Sequence, residues 1–262
     1  MSAPADAWKG EALVRTYLEG IRGAIPLARE QIDLMLRLIE GAALSVERIA
    51  DLGCGSGVLA RAILDAYPRA SATLVDFSEP MLREARTQMQ PYAGRCIIAQ
   101  ADLSDPAWAH VLGSEATFDV IVSGYAIHHL TDVRKRALYQ EIFDRLRPGG
   151  VFINIDHVAS PSGWLEENFD ELLIDSFHAY QQAAGLAKTR EEVAAEYVHR
   201  EDKQGNLHAP VEDQCNWLRA CGFQDVDCYF KVLELAVFGG RAPKCGGYPK
   251  RRATAQSRLP SP

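Results

Sequence analysis

The sequence contains few cysteines, and none of them form a closely spaced pair. A structural zinc site usually presents cysteines in C-x-x-C pairs, and no such pair occurs in this chain. We therefore predict reduced thiols that are buried as small apolar side chains, and no bound metal. The six cysteines are Cys54, Cys96, Cys215, Cys221, Cys228 and Cys245.

A long apolar run is also missing. No stretch approaches the about 18 residues that a membrane span needs. The first residues, MSAPADAWKGEALVR, contain no apolar core of the kind that a signal peptide has. We therefore expect a cytoplasmic protein that has no membrane partner.

Positive charge is scarce. The chain has 28 lysines and arginines against 35 acidic residues, which gives a net charge of −7. Such a chain repels a phosphate backbone unless its basic residues are segregated, so we do not expect a nucleic-acid partner. The one dense basic segment, residues 241–262, is rich in Gly, Pro and Ser. We predict a disordered tail there, and contact of this tail with nucleic acid or an acidic partner is the alternative.

Strand-like and helix-like segments alternate through most of the 262 residues. The apolar spacing predicts helices over residues 1–45, and residues 46–240 alternate between the two types, with a helical insertion at about 160–200. This alternation is typical of an α/β protein with a parallel sheet covered on both faces. The last strand-like pieces, DVDCYFKV and LELAVFG, have almost no connector, which permits only an antiparallel hairpin.

A glycine-rich loop follows the first strand, in RIADLGCGSGVLARAIL, residues 48–64. Three alternate glycines let the backbone bend tightly and let a ligand touch it at the end of a parallel strand. A dinucleotide fingerprint, G-x-G-x-x-G, needs glycine where this chain has Val58. Asp51, just before the loop, would repel a pyrophosphate and suit a ligand with ammonium and sulfonium charges. The glycines are Gly53, Gly55 and Gly57.

Polar and apolar side chains that suit a nucleoside follow the next strands. Asp76 ends the second strand, where an acid accepts hydrogen bonds from ribose hydroxyls. Asp102 follows the third strand, where a carboxylate suits an adenine amino group. Neighbouring residues suit the adenine ring or the reactive end of the ligand: Phe77, Met81, Leu103, Ser123, Gly124 and Tyr125. The alternative for any one of them is a capping, turn or core role.

These motifs together resemble the class I S-adenosylmethionine-dependent methyltransferases. DLGCGSG resembles their first motif, LVDFSEPML their second, ADLSD their third, and FDVIVSGYAIHHL their fourth. The chain is most similar to small methyltransferase-domain proteins of bacteria and archaea. It is also similar to carboxy-S-adenosylmethionine synthases, which normally need a basic residue for the extra carboxylate. The resemblance covers about residues 15–240.

The resemblance implies a Rossmann-like seven-stranded sheet of order 3-2-1-4-5-7-6 with an antiparallel last strand, and a helical lid. It implies S-adenosylmethionine as cofactor, S-adenosylhomocysteine as its product, and methyl transfer to a small molecule. The implied cofactor-binding residues are Asp51, Gly53, Cys54, Gly55, Asp76, Phe77, Met81, Ala101, Asp102, Leu103, Ser123, Gly124 and Tyr125.

Two histidines after the fourth strand, His128 and His129, are the candidate catalytic bases, because histidine titrates near neutral pH. The alternative is a structural turn, since HHL recurs at this place in the family. Asp156 and His157 end the fifth strand at the same sheet edge. A metal held by His128, Asp156 and His157 is a weaker alternative, because the spacing matches no known signature.

The N-terminal helices and the insertion are expected to form the lid that selects the acceptor. The candidate substrate-binding residues are Tyr17, Arg22, Trp164, Tyr180, Tyr197 and Arg200, with Asn168 and Phe177 beside them. Arg22 and Arg200 are suited to clamp a carboxylate, and the alternative is helix packing and solvated arginines. We expect a small, partly aromatic or acidic acceptor and a monomer or homodimer.

Three other functions were weighed against methyl transfer. A nicotinamide-dependent oxidoreductase conflicts with Val58 in the fingerprint position. A non-catalytic adenosyl-ligand-binding protein conflicts with the intact loop, Asp76 and Asp102. Carboxy-S-adenosylmethionine synthesis stays open.

Overall fold

The computed structural model describes residues 8, 10–16, 22–42, 45–113, 116–198 and 205–244. Its centre is a seven-stranded sheet of order β3-β2-β1-β4-β5-β7-β6. The predicted strand order is therefore confirmed. The strands are β1 Arg48–Leu52, β2 Ser71–Asp76, β3 Cys96–Gln100, β4 Phe118–Gly124, β5 Leu146–His157, β6 Gln224–Val232 and β7 Leu235–Arg241.

The pairing of the strands follows the predicted pattern. Strands β1 to β5 pair in parallel, whereas β7 runs antiparallel to both β5 and β6. The carboxyl ends of β1, β2, β4 and β5 consequently lie along one edge. In a sheet of this kind that edge is where ligands bind.

Helices cover both faces of the sheet. They are α1 Glu11–Thr16, α2 Ala28–Gly41, α3 Val58–Ala66, α4 Glu79–Gln88, α5 Asp132–Arg145, α6 Gly163–Ala183, α7 Arg190–Val198 and α8 Val211–Cys221. Local sequence explains several boundaries. The Ser78 hydroxyl caps α4 by accepting a hydrogen bond from the amide of Met81 at 3.4 Å. Gly222 ends α8 with φ of 104°, a left-handed conformation that favours glycine.

The apolar core lies in two layers, one on each face of the sheet. Leu138 of α5 and Leu218 of α8 pack on one face, and Met35 of α2 and Ile63 of α3 pack on the other. All four side chains are fully buried. Burial of such a side chain contributes about 1.5–3 kcal/mol each, so these layers hold the sheet edge in place.

The N-terminal segment and the insertion contact each other. The Ser176 hydroxyl of α6 donates to the Ala24 carbonyl at 2.7 Å. A Cβ atom on Gly23 would lie 2.5 Å from the ring of Tyr180, so a larger residue there would require this ring to shift. This contact supports the expectation of a joint lid, and the domain boundaries themselves stay a prediction.

Some features differ from the sequence expectation or fall beyond it. The segment RPGG, expected to end a helix, lies inside β5, which begins at Leu146 and shifts register against β4. Residues 106–112 form 3-10 turns that the periodicity did not indicate. Residues 245–262, with Cys245, lie outside the described residues, and the other five cysteines are free. No helix in the described part of the chain is both long and apolar enough to span a membrane.

Candidate functional site

A cleft with a cavity volume of about 110 Å³ lies at the carboxyl ends of β1, β2 and β4. Ten of the thirteen residues predicted to bind the cofactor line it: Gly53, Gly55, Asp76, Phe77, Met81, Ala101, Asp102, Leu103, Gly124 and Tyr125. Trp8, Ser78, Ser104, Ala126, His129 and Leu130 complete the lining. The structure therefore gathers residues from five separate chain segments around one cavity.

The glycine loop forms the floor of this cleft. Gly53 and Gly55 have φ of 65° and 52°, a region that other residues rarely adopt. The amide of Gly53 donates to the Val75 carbonyl at 2.8 Å, which ties the loop to β2. A Cβ atom on Gly53 would lie 2.2 Å from the Cβ atom of Ala126. The loop is thus packed so closely that a side chain at position 53 would displace the opposite wall.

Asp76 presents its carboxylate to the cleft from the end of β2. Its two oxygens accept hydrogen bonds from the amides of Gly55 and Ser78, each at 2.8 Å. Burial raises the pKa of this carboxyl, and the backbone amides of Ser78, Gly55 and Phe77 oppose that rise. The amides fix the direction of the carboxylate, and Asp76 lines the cavity.

The predicted adenine side of the cleft is a mostly apolar slot. Phe77, Met81, Ala101 and Leu103 line it, and Met81 and Leu103 are buried. Asp102 is exposed at its rim, where one carboxylate oxygen accepts a hydrogen bond from the Ser104 amide at 2.8 Å. A flat apolar ring with one polar edge fits this arrangement.

Three predicted cofactor residues lie outside the cavity lining. Asp51 is buried and accepts a hydrogen bond from the Ala60 amide at 3.0 Å, inside the first turns of α3. The Ser123 hydroxyl donates to the Leu52 carbonyl at 2.7 Å within the sheet. Cys54 is buried, and burial raises the pKa of its thiol. Their contact with a cofactor stays a prediction.

Trp8 lines the cleft although the sequence pattern did not indicate it. Its carbonyl accepts a hydrogen bond from the Ser78 hydroxyl at 2.6 Å, and its ring centroid lies 6.0 Å from that of His129. Glu11 of α1 pairs with Arg83 of α4. The N-terminal segment therefore contacts the cleft. This contact joins segments that are distant in sequence, so no local motif predicts it.

The other end of the cleft is rich in histidine. His128 is buried, and its Nδ1 lies 2.5 Å from a carboxylate oxygen of Asp156, which is also buried. Asp156 accepts further hydrogen bonds from the His128 amide at 3.1 Å and the Asn154 side chain at 3.2 Å. Burial raises the pKa of Asp156, and His157 is the largest opposing influence.

Four of the seven histidines gather here. The ring of His128 lies 4.0 Å from that of His129, 5.5 Å from His157 and 5.6 Å from His208, measured between centroids. His129 lines the cleft, and its Nδ1 lies 3.2 Å from the Gly205 carbonyl oxygen. His208 is the member that sequence reasoning missed. It follows no predicted strand, so only the fold brings it to this edge.

The structure gives different results for the two candidate catalytic bases and for the alternative metal site. His128 and His129 lie side by side, but only His129 is part of the cavity lining. Within the described residues, no group of three or more His, Cys, Asp or Glu side chains is arranged to hold a metal. The roles of the two histidines stay a prediction.

The candidate substrate residues are scattered. Trp164 is 69% exposed at the start of α6. Tyr197 is buried, donates to Asp170 at 2.6 Å, and stacks near Phe177, so it packs α7 on α6. Asn168 is exposed and donates to the Trp164 carbonyl. Tyr180 contacts Gly23, Arg22 begins a short turn, and Tyr17 and Arg200 lie outside the described residues.

The charge of the cleft is one-sided. Its described lining carries two carboxylates, Asp76 and Asp102, and neither lysine nor arginine. His129 is the one lining side chain there that can become a cation. A cationic or neutral ligand is therefore better matched to this part of the wall than an anion.

Comparison with known proteins agrees with the geometry. Residues 49–150 match the family model described as a methyltransferase domain. The chain is 25% identical to a carboxy-S-adenosyl-L-methionine synthase of Aeromonas salmonicida over 86% of this chain and 87% of that protein. A second synthase of this name, from Nitratiruptor sp., is 21% identical over 87% of this chain and 90% of that protein.

Solved structures share the fold. An O-methyltransferase family protein from Burkholderia thailandensis matches with a TM-score of 0.55 and 15% identity, over 82% of this chain. The CurJ carbon methyltransferase matches with a TM-score of 0.52 and 16% identity, over 76% of this chain. This chain covers only 57% and 49% of those two proteins. Residues 49–150 therefore match a methyltransferase domain, and the chain shares the fold of these two solved methyltransferases.

Proposed function

We propose that the protein transfers a methyl group from S-adenosylmethionine to a small-molecule acceptor bound at the histidine end of the cleft. One observation carries this proposal. A single cavity runs from the carboxylate of Asp76 to the imidazole of His129, so a nucleoside-binding end and a proton-accepting end share one space.

The residues of the cleft fit the cofactor. The carboxylate of Asp76 would hold the ribose, Asp102 the adenine amino group, and the slot of Phe77 and Met81 the adenine ring. The close backbone of Gly53 and Gly55 would hold the methionine part. Bound S-adenosylmethionine supplies a methyl group on a sulfonium, and the electrons of the breaking carbon–sulfur bond stay with the departing thioether.

His129 is the side chain best placed to take the acceptor proton. A bond to the Gly205 carbonyl requires the ring proton on Nδ1, which leaves the lone pair on Nε2. Nε2 then takes the proton from the acceptor oxygen or nitrogen as the new bond to the methyl carbon forms. The neighbouring His128–Asp156 pair places a buried carboxylate near this ring, and His129 is one of the groups that oppose the rise in the pKa of Asp156.

A second function, synthesis of carboxy-S-adenosylmethionine, is supported by the names of the curated relatives. Its product carries an additional carboxylate on the group attached to sulfur. The described cleft lining contains no lysine or arginine to pair with that carboxylate, whereas Asp76 and Asp102 would repel it. The charge of the described lining residues is thus the observation that supports methyl transfer over this second function.

Mass spectrometry separates the two reactions. The purified chain is incubated with S-adenosylmethionine together with small phenols in one series and together with small carboxylic acids in another. Methyl transfer produces S-adenosylhomocysteine together with an acceptor heavier by one methylene unit. A cofactor-derived product heavier than S-adenosylmethionine by one carbon dioxide, together with a carboxylic acid that has lost one carbon dioxide, would overturn the proposal in favour of the synthase. The Asp76→Ala variant, treated in the same way, controls for turnover outside this cleft.

A further inference from the structure

A short segment, residues 205–209, holds the two histidines of the cleft from outside, and we call it the strap. Its Gly205 carbonyl lies 3.2 Å from Nδ1 of His129. Its Leu207 amide donates to the His128 carbonyl at 2.8 Å. At its far end, the Ala209 carbonyl accepts from the Ala159 amide at 3.0 Å. The strap therefore contacts the ring of His129 and the main chain of His128.

A buried lysine anchors the strap. Lys135 of α5 has a fully buried side chain, and its ammonium donates to the Leu207 carbonyl and to Asp132 at 3.0 Å. Burial of an ammonium group costs folding free energy unless the group is partnered. An apolar side chain is therefore the usual choice at such a core position. Asp132 is 54% exposed and can pair with a cation outside the core. The other partner of the Lys135 ammonium is the strap carbonyl of Leu207.

The strap fixes a chemical property of His129. While the Gly205 carbonyl accepts a hydrogen bond, the proton of a neutral ring must sit on Nδ1. An imidazole in water prefers the opposite tautomer, with the proton on Nε2. In that tautomer the atom facing away from the strap is a donor and accepts no proton. Loss of the strap contact would consequently convert a base into a non-base without moving the residue far.

We propose that Lys135 is a positioning residue: by anchoring the strap, it keeps His129 in the Nδ1-protonated tautomer. This inference rests on the proposed function for its consequence in catalysis, since only there does Nε2 of His129 accept a proton. The tautomer itself is independent of any acceptor and is measured separately.

The test is nitrogen NMR of the imidazole rings in the full chain with S-adenosylhomocysteine added. Nitrogen shifts distinguish Nδ1–H from Nε2–H, and a His129→Gln variant assigns the signals. We expect Nδ1–H for His129 in the unmodified protein and a shift towards Nε2–H in Lys135→Met. Lys188→Met is the matched control, because Lys188 is an exposed lysine paired with Glu196, and it should leave the signals unchanged.

The rate of S-adenosylhomocysteine formation gives the second readout. Lys135→Met is expected to lower kcat at least tenfold with an unchanged KM for S-adenosylmethionine, and Lys135→Gln replaces it if Met prevents folding. An Nε2–H ring in the unmodified protein, or an unchanged Nδ1–H ring in the folded variant, would overturn the inference. If the tautomer changes but His129→Gln keeps the full rate, the positioning stands and the proposed base role fails.

Discussion

The two ends of the cleft are built in different ways. The Asp76 end depends on main-chain geometry: positive φ angles at two glycines and two backbone amides that orient one carboxylate. The histidine end depends on side chains from separate elements: the turn after β4, the end of β5, the strap and α5. The first end is local in sequence, whereas the second is assembled by tertiary packing.

This difference indicates which end of the cleft can vary its ligand specificity and which end can keep a constant function. A site made of main-chain atoms suits a ligand that is the same in every turnover. Its backbone atoms stay the same when a side chain is substituted, unless the substitution changes the loop conformation. Side chains can be exchanged one by one, so under the proposed function we expect the histidine end to select the acceptor and to handle its proton. Substitutions at the two ends should therefore separate binding from turnover.

The largest expected effect comes from removing the base. His129→Gln keeps a polar side chain of similar reach but takes no proton, so the rate of S-adenosylhomocysteine formation should fall by about 10²- to 10⁴-fold. Affinity for S-adenosylhomocysteine, measured by calorimetry, should stay within about twofold. His110→Gln is the control, because His110 is exposed and is separate in sequence from His128 and His129. If His129→Gln lowered the affinity and the rate equally, the two ends of the cleft would not separate cofactor binding from turnover.

The next effect belongs to the main-chain end. Asp76→Ala removes the carboxylate that the Gly55 and Ser78 amides orient, and a charge-assisted hydrogen bond contributes about 1.5–3 kcal/mol. We expect calorimetry to show affinity for S-adenosylhomocysteine at least tenfold weaker. Glu79→Gln, an exposed acid in the following helix, should bind normally. Unchanged affinity in Asp76→Ala would remove Asp76 from the ribose contact.

The sequence predicted the main-chain end well, for a physical reason. Glycines at alternate positions after an apolar strand, and an acid at the end of the next strand, are short-range patterns, and the parallel sheet brings successive strand ends to one edge. Gly53, Asp76 and Asp102 could therefore be placed at one sheet edge from the sequence, and their contact with a cofactor stays a prediction. The parallel sheet followed from the alternation and the antiparallel hairpin from its short connector, whereas the sheet order was implied by the resemblance.

The histidine end was only half predictable. His128, His129 and His157 follow strands and could be placed at the edge, but His208 and Lys135 belong to a loop and a helix interior whose partners are far away in sequence. Trp8 was missed for the same reason. A lone histidine or lysine carries no periodic signal, because its role depends on tertiary contacts that local propensity does not encode.

The smallest expected effect concerns the stability of the histidine end. Burial lowers the pKa of His208 below its ordinary value of 6.5, and nearby Lys135 and His129 lower it further, against the opposite influence of Asp156. Glu234 also faces its Nδ1 at 3.8 Å, and His128 and His157 pack on its ring. Because the unfolded chain binds the proton more readily, the stability from neutral His208 is present above about pH 6.5 and is lost as the pH falls.

We therefore expect the unfolding free energy to fall between about pH 7.5 and about pH 5, and His208→Gln to reduce this fall, because glutamine does not titrate in that range. Urea unfolding at several pH values measures the difference. His110→Gln should retain the full pH dependence, since His110 is exposed. A steeper acid loss in His208→Gln than in the unmodified protein would show that His208 is stabilised as a cation. The histidine end would then hold positive charge, which would make an anionic acceptor the better match.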